Sequence, residues 1–194
     1  MTLTEAQIDR YSRQIIVPHI GGRGQERLLA ARIMLVGDAR DIEAPLAYLV
    51  GAGVGSIFVR VTGRQGGFAK KIAEAHELNP DVTVTVEPKA PIDLALLLIG
   101  SEAAKKIADE IANDSDARAL VIARLDAPGK ILVIPDTQSP RVVDARFGTR
   151  SETADFIAML ATAETFKLIA GYAENPSRAT IEFDGYATRV RVHP

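Results

Sequence analysis

Gly37-Asp38-Ala39-Arg40-Asp41-Ile42 follows the apolar run Ile33 to Val36 and stands where an α/β fold receives the phosphates of a nucleotide. Phosphate binding at such a bend relies on glycines, which let the backbone approach and aim free N–H groups at the anion beside the positive end of the next helix. Here one glycine, Gly37, remains, while Ala39 and Arg40 add bulk and Asp38, Asp41 and Glu43 surround the mouth with acid. Carboxylates desolvated against a triphosphate cost on the order of a few kcal/mol. The stretch therefore opposes a polyanion, and Arg40 alone offsets part of the repulsion.

The rest of the chain narrows the chemistry further. With no cysteine among 194 residues, disulfides, thiolate metal sites and thiol catalysis are closed. His19, His76 and His193 are far apart, with no serine or carboxylate arrangement suggesting a triad, and Asp81, Asp93 and Asp136 read as turn formers. A nicotinamide or flavin dinucleotide needs an acid at the end of the second strand, which here reads Val59-Arg60-Val61-Thr62. The net charge of -2 gives no footprint for nucleic acid. The polar N-terminus and the lack of a long apolar run argue for a cytoplasmic protein with no membrane partner.

The elements that must position these residues follow from pattern. Thr4 with Gln7 has the form of a capping box, predicting a helix to about Arg13, and a second helix is expected from about Gly24 to Ala30. Strands are expected at Arg32 to Val36, Ser56 to Val61, Val82 to Val86, Leu94 to Ile99, Leu120 to Ala123 and Ile131 to Ile134, with helices at about Phe68 to Leu78 and Ser101 to Ile111. Pro45 places the start of the intervening helix at Asp41 to Ala44, with its end near Gly51, and Gly51, Gly53 and Gly55 serve termination and tight turning. Arg141 to Arg146 looks like a further strand. A long helix is expected to open at Ser151 and Asp155, its apolar residues Phe156, Met159, Leu160, Ala163, Phe166 and Ile169 recurring at helical spacing. Ala179 to Phe183 and Ala187 to Val192, joined by Asp184-Gly185, form a hairpin.

The fold class is α/β: a Rossmann-like, mostly parallel sheet with helices on both faces and antiparallel C-terminal strands. One domain is expected over residues 1–194, with a helical arm to about residue 31, a core over about 32–124 and C-terminal strands and helix over about 125–194.

Arg10-Tyr11-Ser12-Arg13-Gln14-Ile15-Ile16, Gly24-Gln25-Glu26-Arg27-Leu28, Tyr48-Leu49 and Ala52-Gly53-Val54-Gly55 together resemble the ThiF/MoeB/HesA family, relatives of the ubiquitin-activating enzymes. The resemblance implies dimers that bind ATP and magnesium and adenylate a small ubiquitin-like or sulfur-carrier protein. It also implies that Arg13 reaches across the dimer to the partner's nucleotide as an arginine finger; the alternative is that Arg13 and Gln14 brace the first helix. Arg10 and Tyr11 are assigned to packing.

The chain departs from the family where the chemistry sits. Three of the four glycines expected at Gly37, Asp38, Ala39, Arg40, Asp41 and Ile42 are absent, and the acids after the second strand fall on Val61 and Gly63. The nucleotide contacts that follow shrink to Gly63-Arg64-Gln65-Gly66-Gly67, in which Arg64 and Gln65 are possible remnants; Gly67 stands where a lysine is expected, and Lys70 and Lys71 read as a solvated face. The magnesium-binding segment falls on Leu97-Leu98-Ile99-Gly100-Ser101, with Glu102 the nearest carboxylate, so no metal site is expected. These departures point to a degenerate homologue without a cofactor, a homodimer or the silent half of a heterodimer with an active ThiF/MoeB-like subunit. An active adenylyltransferase using ATP and magnesium through Arg40, Arg64 or Lys70 is the alternative, and a binding module for a non-phosphorylated ligand a third.

Overall fold

The computed structural model describes residues 2–63, 67–86, 91–114, 117–135, 148–172, 178–185 and 187–193. Helices α1 (Glu5–Ile15) and α2 (Gly21–Ala30) precede strand β1 (Arg32–Asp38), helix α3 (Ala39–Ala52) and strand β2 (Ser56–Thr62). Helix α4 (Phe68–Leu78), strands β3 (Thr83–Thr85) and β4 (Leu94–Ile99), helix α5 (Glu102–Asp114) and strands β5 (Ala119–Arg124) and β6 (Gly129–Ile134) follow. Helix α6 (Ala154–Ala170) and the hairpin β7 (Ala179–Phe183) and β8 (Thr188–Val192) complete the order. The expected strand at Arg141 to Arg146 lies outside the described residues.

The strands form one sheet in the order β3-β2-β1-β4-β5-β6-β7-β8. Pairing is parallel from β3 through β5 and antiparallel from β5 through β8. The architecture is the Rossmann-like α/β class. Alternation along each strand sorts the core into two layers: Leu94, Leu96 and Leu98 join α3 and α6, whereas Ala95, Leu97 and Ile99 join Ala108, Ile111 and Ala112 of α5. Because β4 is buried on both faces it reads as the unbroken apolar run LALLLI. Among the described residues no helix is long and apolar enough to cross a membrane.

The capping box at Thr4 and Gln7 is formed, with Thr4 Oγ1 accepting from the Gln7 N–H at 3.2 Å. The arm is tied to the sheet by Tyr11. Its hydroxyl donates to Asp81 Oδ2 at 3.0 Å and accepts from Asn79 Nδ2 at 3.0 Å, and Arg10 Nε lies 3.4 Å from Asp81. Gly53 ends α3 in the left-handed region at φ +81°, and a side chain there would fall 2.6 Å from the Tyr11 ring. Asp81 is thus a bonding partner as well as a turn residue.

Three expectations about helices require correction. Helix α2 begins at Gly21, three residues before the expected start, because its first turn is glycine-rich and carries no apolar periodicity to announce it. Helix α3 begins at Ala39 and holds Pro45 as a buried interior residue rather than near its start. Pro45 gives no N–H to the Asp41 carbonyl, and burial of its ring with Leu46 and Leu49 compensates for the missing bond. Helix α6 begins at Ala154 and buries Ile157, Ala158, Ala161, Thr162, Thr165, Phe166 and Ala170, so of the apolar residues noted at helical spacing only Phe166 is fully buried. Apolar residues surround this helix on all sides, so spacing does not distinguish the inner face. The small residues do, because they let α6 approach the sheet closely, while Phe156 stays 52% exposed and stacks on Phe183 with ring centroids 4.7 Å apart.

Candidate functional site

The strand order reverses between β1 and β4, and the carboxyl ends of these strands meet the N-terminus of α3 there, as ligand sites in open α/β sheets do. The expected loop over residues 37–42 is absent. Gly37 and Asp38 are the last residues of β1, and Ala39, Arg40, Asp41 and Ile42 form the first turn of α3 with no connecting residue. Gly37 is a packing glycine: a side chain there would fall 2.9 Å from Ile42 Cγ2 and 3.0 Å from the Leu98 carbonyl oxygen. Strand and helix are therefore pressed together where a nucleotide loop would open.

The three acids at this end do not form a negative mouth. Asp38 accepts at Oδ1 from the Thr62 hydroxyl at the end of β2 and from Ser101 Oγ at 3.0 Å. Ser101 in turn accepts from the Ala104 N–H at 3.2 Å in the first turn of α5. Glu43 is exposed and lies 2.6 Å from Lys71 Nζ, whose ammonium this hydrogen bond holds above its usual range. Lys71 is thus engaged rather than simply solvated.

Asp41 differs most from expectation, because its side chain is fully buried. It follows the inward stripe of Pro45 and Leu49, and its Oδ2 occupies the space above Gly100, where a Cβ would fall 1.9 Å away. Arg150 answers it, with Nε 2.9 Å and Nη2 2.8 Å from Asp41 Oδ1. Arg150 also bonds Asp155 of α6, while the exposed Arg40 stands 3.8 Å from Asp41. Burial raises the Asp41 carboxyl above the usual carboxylate range and outweighs Arg150. Burial opposes the Arg150 charge as well, but its bonds to Asp41 and Asp155 together outweigh it and hold the guanidinium above its usual range.

Backbone pairing carries Arg150 into place. It forms a bridge with Asp126, and the next N–H, from Ser151, donates to the Leu125 carbonyl at 2.7 Å. Asp126 is buried, bonds Arg124 and accepts from the Gly148 N–H at 2.9 Å. This return of the chain over the strand ends is what the sequence reading missed. The signal for Asp41 was legible in its spacing four and eight residues before Pro45 and Leu49, but nothing near Arg150 announces a partner 109 residues away.

The remaining candidates lie apart. Arg13 is exposed in the last turn of α1, with no bonding partner among the described residues. Arg64 and Gln65 lie outside the described residues. Lys70 pairs with Glu74 at 3.5 Å, and Leu97, Leu98 and Ile99 are core. Among the described residues no group of three His, Asp or Glu could hold a metal ion. His193 bonds Thr180 at 2.8 Å, and His76 faces the Val82 carbonyl at 3.5 Å.

No family model matches the chain. A sulfur carrier protein adenylyltransferase of Thermus thermophilus is 48% identical over 60 residues, which are 30% of this chain and 22% of that protein. The SAMP-activating enzyme E1 of Haloferax volcanii is 45% identical over 60 residues, again 30% of this chain and 22% of the relative. A crystal structure of PaaA superposes with a TM-score of 0.62 over 98% of this chain and 75% of that one, at 15% identity. E. coli MccB crystallised with ATP gives 0.63 over 97% and 72%, at 13% identity. Over those 60 residues the chain is similar to ThiF/MoeB-type sulfur carrier adenylyltransferases.

The identity to these ThiF/MoeB-type relatives is confined to a segment spanning about a fifth of their length. The structural likeness, at its low identity, establishes the shared fold alone.

Proposed function

We propose that the chain is a non-catalytic ThiF/MoeB homologue that acts as a dimerising interaction or regulatory subunit, with Arg13 offered to the active site of a partner. One observation carries this reading: the Asp41 carboxylate fills the space above Gly100 at the strand switch point and is clasped by Arg150. Phosphates delivered to the α3 N-terminus would have to displace a buried side chain and strip Arg150 of its partner. With Asp38 held by two hydroxyls and Gly37 packed against Ile42, the residues present do not fit a nucleoside triphosphate. The obstacle is occupancy more than repulsion, since Asp38, Glu43 and the Oδ1 of Asp41 are partnered, while the buried Asp41 Oδ2 has no hydrogen-bond partner among the described residues. Exposure of Arg13 supports its availability to a second subunit.

Calorimetry with magnesium ATP and pyrophosphate exchange in the presence of a sulfur-carrier protein test the reading. The expected result is no saturable heat and no exchange; saturable binding with exchange would overturn it. A second reading, an active adenylyltransferase, draws on the names of the relatives and on Arg40, whose side chain is 64% exposed beside the α3 N-terminus. ATP binding that weakens in Arg40→Ala would favour it.

A further inference from the structure

The opposite end of the sheet, where β1, β4 and β5 begin, holds a separate cavity of about 460 Å³, within the usual ligand range of roughly 300–1,000 Å³. Leu94, Leu168 and Ile169 give it apolar walls, and three cationic side chains, Arg27, Arg32 and Arg118, reach it. Its only acid among the described residues is Asp93, which is engaged: it accepts from the Arg32 backbone N–H at 2.9 Å and lies 3.4 Å from the Arg32 guanidinium. Arg32 and Asp93 neutralise each other, leaving Arg27 and Arg118 in surplus.

Arg27 is exposed and tethered through one nitrogen at the edge of this cavity, beside the adjoining hollow that Ala170 and Gly171 line. Its Nη1 donates to the Ala170 carbonyl at 3.3 Å and rests on Gly171, where a Cβ would fall 1.7 Å from that nitrogen. This contact offsets the negative end of α6 and leaves most of the five guanidinium N–H donors unspent. Arg118 has no bonding partner among the described residues. A guanidinium fork matches a carboxylate with two parallel hydrogen bonds.

We propose that this cavity binds a small organic carboxylate with an apolar body, the head taken by Arg118 and Arg27 and the tail by Leu94, Leu168 and Ile169. The site is independent of the one at Asp41 and stands whether or not the chain is catalytic.

Octanoate is the probe, titrated into the full chain with two-dimensional amide NMR as the readout. Octanol supplies the tail without the charge, and acetate the head without the tail. Octanoate is expected to saturate, shifting the amides of Leu94, Ala119 and Leu168, and to bind at least tenfold more tightly than either control. Arg118→Gln, which removes no internal bond, is expected to weaken octanoate at least fivefold with an unchanged thermal midpoint. Absence of saturation, shifts centred elsewhere, octanol binding as tightly as octanoate, or wild-type affinity in Arg118→Gln would each overturn the proposal.

Discussion

Asp41 Oδ1 and Arg150 Nη2 stand 2.8 Å apart across 109 residues of chain, joining the first turn of α3 to the segment that enters α6. The carboxylate is the buried member and the guanidinium the one that still reaches water. Removing one partner therefore differs from removing both. Arg150→Met alone should destabilise the protein by about 3–5 kcal/mol, because it strands a buried carboxylate. Asp41→Leu combined with Arg150→Met should recover most of that loss. Denaturant midpoints of the two single variants and the double variant measure the coupling, and strict additivity would contradict this account.

The same pair sets a pH dependence. Burial raises the Asp41 carboxyl above its ordinary value of 3.8. As pH falls from neutrality toward that value, the native state takes up the proton before the unfolded chain does, so Asp41 costs less stability in acid. The wild type should gain on Asp41→Asn as the solution is acidified. Thermal midpoints of both proteins across that range check the sign, and a widening deficit of the wild type would refute it.

Tyr11 titrates at the other extreme. Burial chiefly, with the Asp81 charge adding and Asn79 opposing, pushes its hydroxyl from 10.0 up to about 12. The stability this represents, roughly 2–3 kcal/mol, is fully present below pH 10.0 and should be lost as pH rises toward about 12. Tyr11→Phe should remove that alkaline component and cost about 1–3 kcal/mol at neutral pH by leaving Asn79 and Asp81 short of a partner. Alkaline unfolding curves that coincide for the two proteins would argue against the assignment.

Gly100 is under a local constraint. An alanine there places its Cβ 1.9 Å from Asp41 Oδ2. Gly100→Ala should cost about 1–3 kcal/mol in the wild type and clearly less when Asp41 is already alanine. Equal costs in both backgrounds would mean that Asp41 does not occupy this space.

Arg13→Ala should leave stability within about 0.5 kcal/mol of the wild type, since the side chain is exposed and unpartnered among the described residues. If the proposed role holds, the adenylation rate of an active partner mixed with this variant should fall on the order of 10³-fold. An unchanged rate in a demonstrated complex would leave Arg13 with the bracing role.

The parallel core was legible because strands buried on both faces, such as Leu94 to Ile99, must be continuous and apolar, and the hairpin was legible from Asp184-Gly185, where Gly185 takes φ +99°. Helix α6 hid its inner face, because Phe156 and Ile157 are equally apolar and only the sheet decides between them. At the candidate site the residues at 37–42 could be named, but not what each touches. The acidic appearance of that stretch was misleading because Thr62, Ser101, Lys71 and Arg150, all distant in sequence, answer its charges. Local composition reports what a segment carries; compensation from elsewhere requires the fold.

Strand β8 is exposed along its length and forms the outer rim of the sheet, with Arg189 and Arg191 projecting from alternate positions. Two such rims brought edge to edge would set like cations side by side, a barrier to the stacking that turns open sheets into fibrils. Edge-to-edge growth of the sheet through this rim would have to overcome that repulsion.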